Sequence, residues 1–167
     1  MRLYCVEMDT VLEYIRRELR YRLEVEDHEV LLESANVLTD RSDTRGAVIS
    51  LVNFRVSAYQ GTGLGRTEFL DSLELVILVS FRFKRYEDSI RHLYRTIRML
   101  HTKPAYTAAD SHPENPFPPH IDKLLFTLSP VEFDTLNAMW SMQGGTMFPS
   151  ALYSVRMVRS QRAPSGG

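Results

Sequence analysis

Cysteine is nearly absent: Cys5 is the only one in 167 residues. A lone thiol excludes an intrachain disulfide and any zinc site built from cysteines alone. Neither sign of charge is in surplus. The chain carries 20 Lys and Arg against 21 Asp and Glu, a formal net charge of -1, so no global field draws in nucleic acid or anionic lipid. Apolar runs are short. The longest, residues 75–79, falls far below the ~20 residues of a membrane-spanning helix. The opening MRLYCVEMDT has acids where a signal peptide needs an apolar stretch. These absences point away from nucleic-acid binding and membrane insertion, and towards synthesis in a reducing cytoplasm.

Catalytic and ligand-binding signatures are missing too. No GxSxG elbow occurs, and Cys5 has no activating signature around it. Residues 61–65, GTGLG, have the spacing GxGxG where a dinucleotide site needs GxGxxG between a strand and a helix. No lysine follows at Walker A spacing, and the segment reads as a hairpin loop. Asp110, His112, Glu114, His120 and Asp122 share one proline-rich segment, but no known ligand spacing arranges them, and they read as a solvated loop. His92 and His101 stand nine residues apart on one helix, too far to share a metal. The expectation is a non-enzymatic chain with no cofactor and no metal.

What is present is the pattern of a single α+β domain, for which 44% hydrophobic and 25% charged residues are ordinary. Val11, Leu12, Ile15, Leu19 and Leu23 recur at helical spacing behind Asp9 or Thr10 as N-cap, predicting a helix over 10–23. EVLLESA reads as a short strand. In GAVISLVNFRVS, alternation places Val48, Val52, Phe54 and Val56 on one face of a second strand. SLELVILVSFRF is the clearest strand. Leu73, Leu75, Ile77, Val79, Phe81 and Phe83 alternate while Val76 and Leu78 add apolar residues opposite, the mark of a central strand covered on both sides. A helix over 86–101 is expected to bury Ile90, Leu93, Tyr94, Ile97 and Leu100.

Five prolines between Lys103 and His120 mark a loop, after which IDKLLFTL is a strand with Leu124, Phe126 and Leu128 on its apolar face. Ser129 and Glu132 have capping-box spacing with Pro130 at the first helical position, so a third helix is expected to start there. It should present Phe133, Leu136 and Trp140 on one face and stop at Gly144 or Gly145. Ala151, Tyr153, Val155 and Met157 alternate inward along a final strand. The reading is a mostly antiparallel sheet of about four to five strands with three helices packed against it. The domain spans 1–160, and a disordered tail follows at 161–167.

The two signs of charge are segregated along the chain. Arg16, Arg17, Arg20 and Arg22 cluster; Glu24, Glu26, Asp27, Glu29 and Glu33 follow; Arg91, Arg95 and Arg98 form a stripe on the second long helix. A solvated surface accounts for such faces. The functional alternative is complementary charge between copies of the same protein, or towards an acidic partner.

Four blocks carry a family resemblance: VLEYIRRELR, LELVILVSF, YEDSIRHLYRTIRMLHTKPAY and LLFTLSPVEFDTLNAMWSMQGGTMFPSALYSVRMV. The last is the most specific, with Leu-Ser-Pro, then LNAMW, a glycine and PSALYSVRM. With the Lys103-Pro104 pair, these blocks cover the chain apart from its loops and tail. In them the chain resembles the tail-terminator, or cap, proteins of extracellular contractile injection systems. These are phage-tail-like particles that include antifeeding prophages and Photorhabdus virulence cassettes.

The resemblance implies a non-enzymatic structural subunit that forms a homohexameric ring on the distal end of the inner tube and sheath and ends their polymerisation. The implied partners are the chain itself, the tube protein and the sheath protein. Assembly would occur in the cytoplasm, before release within an extracellular particle. Some relatives carry a longer C-terminal extension, which leaves open a second cap subunit or termination of the tube alone. A small adaptor joining the particle to a partner protein, cargo or a membrane is the alternative. Met147 and Phe148 depart from the charged or polar residue expected nearby.

In this frame Lys103, Pro104, Trp140, Gly144, Pro149 and Tyr153 are scaffold, the last four fixing the corner between the final helix and strand. Subunit or partner contacts are expected from Gln60, Thr62, Leu64 and Arg66 in the glycine-rich loop, and from Arg91, Arg95 and Arg98. Phe117 in the proline-rich loop, and Arg159 and Arg162 after the last strand, complete the expected set.

Overall fold

The strongest alternation in the sequence forms the strand about which the sheet is built. The computed structural model describes residues 8–40, 45–56 and 73–158. In chain order these form helix α1 (Met8–Leu23), a 3-10 turn (Asp27–Glu29), β1 (Val30–Leu32), α2 (Val37–Asp40), β2 (Gly46–Val56) and β3 (Leu73–Arg82). Helix α3 (Tyr86–Thr102), β4 (Ala105–Tyr106), β5 (Lys123–Leu128), α4 (Phe133–Met142) and β6 (Ser150–Val158) complete them. Cys5, the glycines of 61–65, Gln60, Thr62, Leu64, Arg66, Arg159, Arg162 and the tail 161–167 lie outside the described residues.

All six strands join one sheet in the order β1-β2-β3-β6-β5-β4. Only β1 and β2 run parallel; every other neighbouring pair is antiparallel. The α+β reading holds, but among the described residues the sheet has six strands and four helices surround it. The two unforeseen elements, β4 and α2, are two and four residues long, too short for a periodicity to register. Helix α2 lies in the connection between β1 and β2, which pair in parallel and so need a crossover between them.

Each face of the sheet is covered by different helices. On one, α1 contributes Val11, Ile15 and Leu19, and α3 contributes Leu100, over Ile49, Leu75, Ile77, Val79, Tyr153 and Val155. On the other, Trp140 packs on Leu78 and Ala35, with Leu136, Met139, Phe148, Val52 and Leu152 around them. Val37 and Leu38 close over Val48 beside that group. β3 lies between β2 and β6 and is buried almost throughout, as its doubly apolar sequence requires.

The reading of β2 needs correction. A bulge between Leu51 and Asn53 shifts the register, so Asn53 pairs with Val76 and Phe54 with Leu75. One extra residue reverses the parity of everything after it. Val48 and Val52 therefore face the Trp140 side, while Phe54 and Val56 share the α1 side with Leu75 and Leu73. Strict alternation had put all four on one face. The strand opens at Gly46, with φ +131°, where a Cβ would lie 2.0 Å from the Glu29 carbonyl oxygen. Glycine is required there on both counts.

The start of α4 also differs from the sequence expectation. The helix begins at Phe133 with Glu132 as N-cap, and no Ser129 capping box forms. Ser129 instead donates its backbone N–H to the Leu152 carbonyl at 2.8 Å, prolonging the β5 ladder. A residue before proline favours extended backbone, so Ser129 belongs to the strand and not to the helix. Phe133, expected on the buried face, is 78% exposed.

Candidate functional site

Those residues singled out in sequence that the structure describes fall mainly on three surfaces, of which the outer face of α3 is the most telling. Its buried residues are Ser89, Thr96 and Leu100, with Leu93 and Ile97 partly covered. Ile90 and Tyr94, expected in the core, are 45% and 63% exposed, and Tyr86 is 66% exposed. The cause is local. Ser89 Oγ accepts the Phe83 backbone N–H at 2.8 Å, and the Thr96 hydroxyl donates to the His92 carbonyl at 2.9 Å. Both small polar residues are therefore satisfied while buried, and their size lets the helix approach the sheet on that side. The wider apolar arc is turned outward.

Tyr86, Ile90 and Tyr94 thus form a stripe at i, i+4 and i+8 that no described element covers. It runs into a cleft of about 350 Å³ between α3 and the β5–β6 ends, lined by Ile97, His101, Pro104, Phe126, Leu128 and Tyr153 among others. The arginine stripe lies beside it. Arg91 is paired to Asp88, Arg95 stands 3.9 Å from Glu24, and Arg98 is exposed with no ion-pair partner among the described residues.

The proline-rich loop is the second surface, and it is tied down instead of freely solvated. Glu18, on the buried side of α1, accepts bonds from the Arg22 guanidinium at 2.9 and 3.0 Å and from Asn115 Nδ2 at 2.9 Å. The His112 backbone N–H reaches both of its oxygens at 3.2 Å. Asn115 is itself buried and also donates to the Tyr14 carbonyl. Tyr14 exchanges a 2.7 Å hydrogen bond with the Ser111 hydroxyl, and burial pushes its phenol up to about 12. Phe117 is half-buried, its ring edge-on to Tyr14 at 5.0 Å.

Three of the possible metal ligands of this loop, Asp110, His112 and Glu114, have other partners. His112 stacks on Tyr21 at 3.8 Å, and the Tyr21 hydroxyl donates to Glu114. Asp110 pairs with Lys103 at 3.0 Å and accepts the Thr107 hydroxyl; these two bonds hold its carboxyl below its usual range. Among the described residues no three His, Cys, Asp or Glu converge as a metal group. The Lys-Pro pair has a structural task here. Lys103 anchors Asp110 and lies over the Tyr106 ring, while the Pro104 carbonyl accepts the Phe126 N–H at 2.8 Å.

The third surface is the corner after α4. Gly144 and Gly145 have φ of +100° and +83°, and the Gly145 N–H returns to the Trp140 carbonyl, so the glycines end the helix. Trp140 meets Phe148 edge-on at 5.9 Å, and the Pro149 carbonyl accepts the Phe81 N–H. Tyr153 does not join this corner: it lies on the opposite face, in the core under α1 and α3. Met147 is exposed and Phe148 half-buried.

Two features escaped the sequence reading. Glu18 had a signal, since it stands four residues from Tyr14 and from Arg22 inside the buried arc of α1. The exposed strip Leu51, Phe54 and Val56 on β2 had none, because it depends on the bulge.

The sequence matches the model of the Pvc16 N-terminal domain family over residues 10–166. No curated protein matches it. Among solved structures, the fold is similar to a chain described as the PVC sheath/tube terminator in extended state, from an extracellular contractile injection system. The TM-score is 0.63 at 14% identity, covering 99% of this chain and 61% of that one. At that identity the likeness is one of fold, and this chain spans less than two thirds of the terminator's length. With the family match running from α1 to beyond β6, the chain belongs to the Pvc16 N-terminal domain family.

Proposed function

We propose that this chain is a structural cap of a contractile injection system, seated on the distal end of the inner tube and sheath and ending their polymerisation. The observation that carries the reading is the family match over residues 10–166, joined to a fold shared along 99% of the chain with a protein described as a sheath/tube terminator. A stack of rings leaves an open end that templates another layer. A terminator satisfies that end on one face and offers nothing pairable on the other. A homohexameric ring suits the task, because a cyclic assembly reuses one subunit surface at every copy.

The partners in this reading are the chain itself, the tube protein and the sheath protein. Assembly takes place in the cytoplasm and the finished particle acts outside the cell. The role is non-enzymatic, and the arginines of α3, Phe117 and the scaffold around Lys103 and Trp140 serve assembly. Deleting the gene is expected to give tails of irregular or excessive length, or tails that fail to mature, when imaged by electron microscopy. Tails of normal length and yield would refute the proposal. Counting copies per particle separates a ring, with a fixed hexameric occupancy, from an adaptor, whose occupancy varies.

A further inference from the structure

The connection between β5 and β6 is far longer than the sheet needs. The two strands are antiparallel neighbours, with Leu128 opposite Tyr153, so residues 130–148 leave the sheet and return to it at almost the same place. Both ends are clamped there. The Ser129 N–H reaches the Leu152 carbonyl at 2.8 Å, and the Phe81 N–H reaches the Pro149 carbonyl at 2.9 Å. Helix α4 lies between these clamps and pairs with no strand. Of residues 130–148 only Trp140 is buried, whereas α1 buries side chains along its whole length. Leu136 and Met139 are partly covered beside Trp140, over Leu78, Ala35, Val52 and Leu152. One side-chain hydrogen bond among the described residues joins the connection to the rest of the chain, from the Ser34 hydroxyl to Gln143 Oε1 at 3.0 Å.

The seat of α4 is also imperfect. The Trp140 indole N–H and the Ser80 hydroxyl, both buried on this face of the sheet, find no hydrogen-bond partner among the described residues. A buried donor without an acceptor opposes burial, and opening returns it to water. The larger cluster under α1 and α3, on the other face, shares no residue with the Trp140 cluster, so α4 can lift without disturbing it. The ends permit the motion. Gly144 and Gly145 have positive φ, and a Cβ added at either would meet nothing within 4 Å. The backbone there is uncrowded and of the residue type freest to turn. At the other end, residues 130–132 belong to no helix or strand.

We infer that α4 is a hinged strap that opens as a unit, with Trp140 as its latch, while all six strands stay paired. Opening bares Leu78, Val52 and Leu152 on the sheet together with the apolar side of α4, and leaves the α1 face intact. It is a sub-global opening, below the free energy of unfolding the whole domain. Nothing in this motion depends on the cap function, so it is measured in the isolated subunit.

The test uses the full chain, in which Trp140 is the only tryptophan. Acrylamide quenching of its fluorescence and native-state hydrogen exchange are followed together across low urea concentrations. The expected result is protection that is uniform from Leu136 to Met142 and at least about tenfold weaker than in β3 and β6. Its urea dependence should match that of Trp140 quenching, and both should precede any change in far-UV circular dichroism. Protection equal to that of β3 and β6 would overturn the inference. So would protection graded from the helix ends inward, the mark of fraying, or a tryptophan transition coincident with circular dichroism. In a second sample, Trp140→Ala, protection should vanish throughout α4 while β3 and β6 still exchange slowly. Its loss in all three elements, or failure of the variant to fold, would also overturn the inference, because Trp140 would then belong to the cooperative unit of the sheet itself.

Discussion

Replacing Glu18 by alanine tests whether the proline-rich loop is held by one buried carboxylate. Three groups depend on it: Arg22, the Asn115 amide and the His112 backbone N–H. Arg22 loses least, because its side chain is 36% exposed and still donates to the Asp110 carbonyl at 2.7 Å. Asn115 is 2% exposed, and its side-chain amide retains only its bond to the Tyr14 carbonyl. The His112 N–H loses both acceptor oxygens, although its contacts at 3.2 Å are long ones. A buried donor left unsatisfied costs about 1–3 kcal/mol, so the two together give a loss of about 3 kcal/mol. For a domain of this size that corresponds to a fall in Tm of about 6–12 °C.

Urea and thermal unfolding followed by circular dichroism measure the loss, and hydrogen exchange at the His112 amide locates it. Glu18→Gln keeps an acceptor for Asn115 but sets its own amide against Arg22, so an intermediate loss is expected. A double-mutant cycle with Asn115→Ala should return a coupling of about 1 kcal/mol or more. If Glu18→Ala stays within about 0.5 kcal/mol of the parent and His112 exchanges no faster, the reasoning fails. The loop would then be held by its other contacts, among them Phe117 and Ser111 on Tyr14, Asp110 on Lys103 and His112 on Tyr21.

Gly46→Ala is expected to cost more than about 2 kcal/mol, through positive φ and contact with the Glu29 backbone; an unchanged urea midpoint would contradict the β2 start described above. Glu24 ends α1 at φ 58°, so Glu24→Gly should raise stability by up to about 1 kcal/mol; a lower Tm would speak against a strained backbone there. Burial pushes the phenols of Tyr14 and Tyr153 up to about 12. A raised folded-state value means that their contribution is complete below the unfolded value near 10 and is lost as pH rises towards 12. Tyrosinate absorbance should therefore show a late step that coincides with loss of circular dichroism, and complete ionisation with the fold intact would refute it. Arginine-to-glutamate exchange at Arg98, exposed on α3, should weaken self-association and reduce its dependence on salt; sedimentation that is unchanged would remove this residue from the interface.

Sequence periodicity recovered the elements whose own residues determine them. The alternation of β3 and β6 and the helical spacing of α1 each survive in the structure, because burial of one face or both is imposed along their whole length. It failed where a neighbour decides. The bulge at Leu51 depends on pairing with β3, and it moved Phe54 and Val56 to the other face. On α3 the apolar positions span a wider arc than the sheet covers, and satisfied hydroxyls on Ser89 and Thr96 turned the helix. Ser129 obeyed the ladder of β6 in preference to its capping-box spacing. The arginine stripe was legible, but the aromatic stripe beside it was mistaken for core. For a protein proposed to work through its surface, apolar residues in excess of what the fold covers are themselves the signal.

The position of β6 has a consequence for when the protein becomes competent. This strand follows the other five in the chain, yet it stands in the middle of the sheet and pairs with both β3 and β5. Until it leaves the ribosome, β3 and β5 each present an open edge, and the early and late halves of the sheet have no strand in common. The nascent chain thus carries two sticky half-sheets that one late insertion joins. Chaperone demand should peak just before β6 emerges, and a ribosome stalled ahead of it would hold a chain with every described helix and no joined sheet.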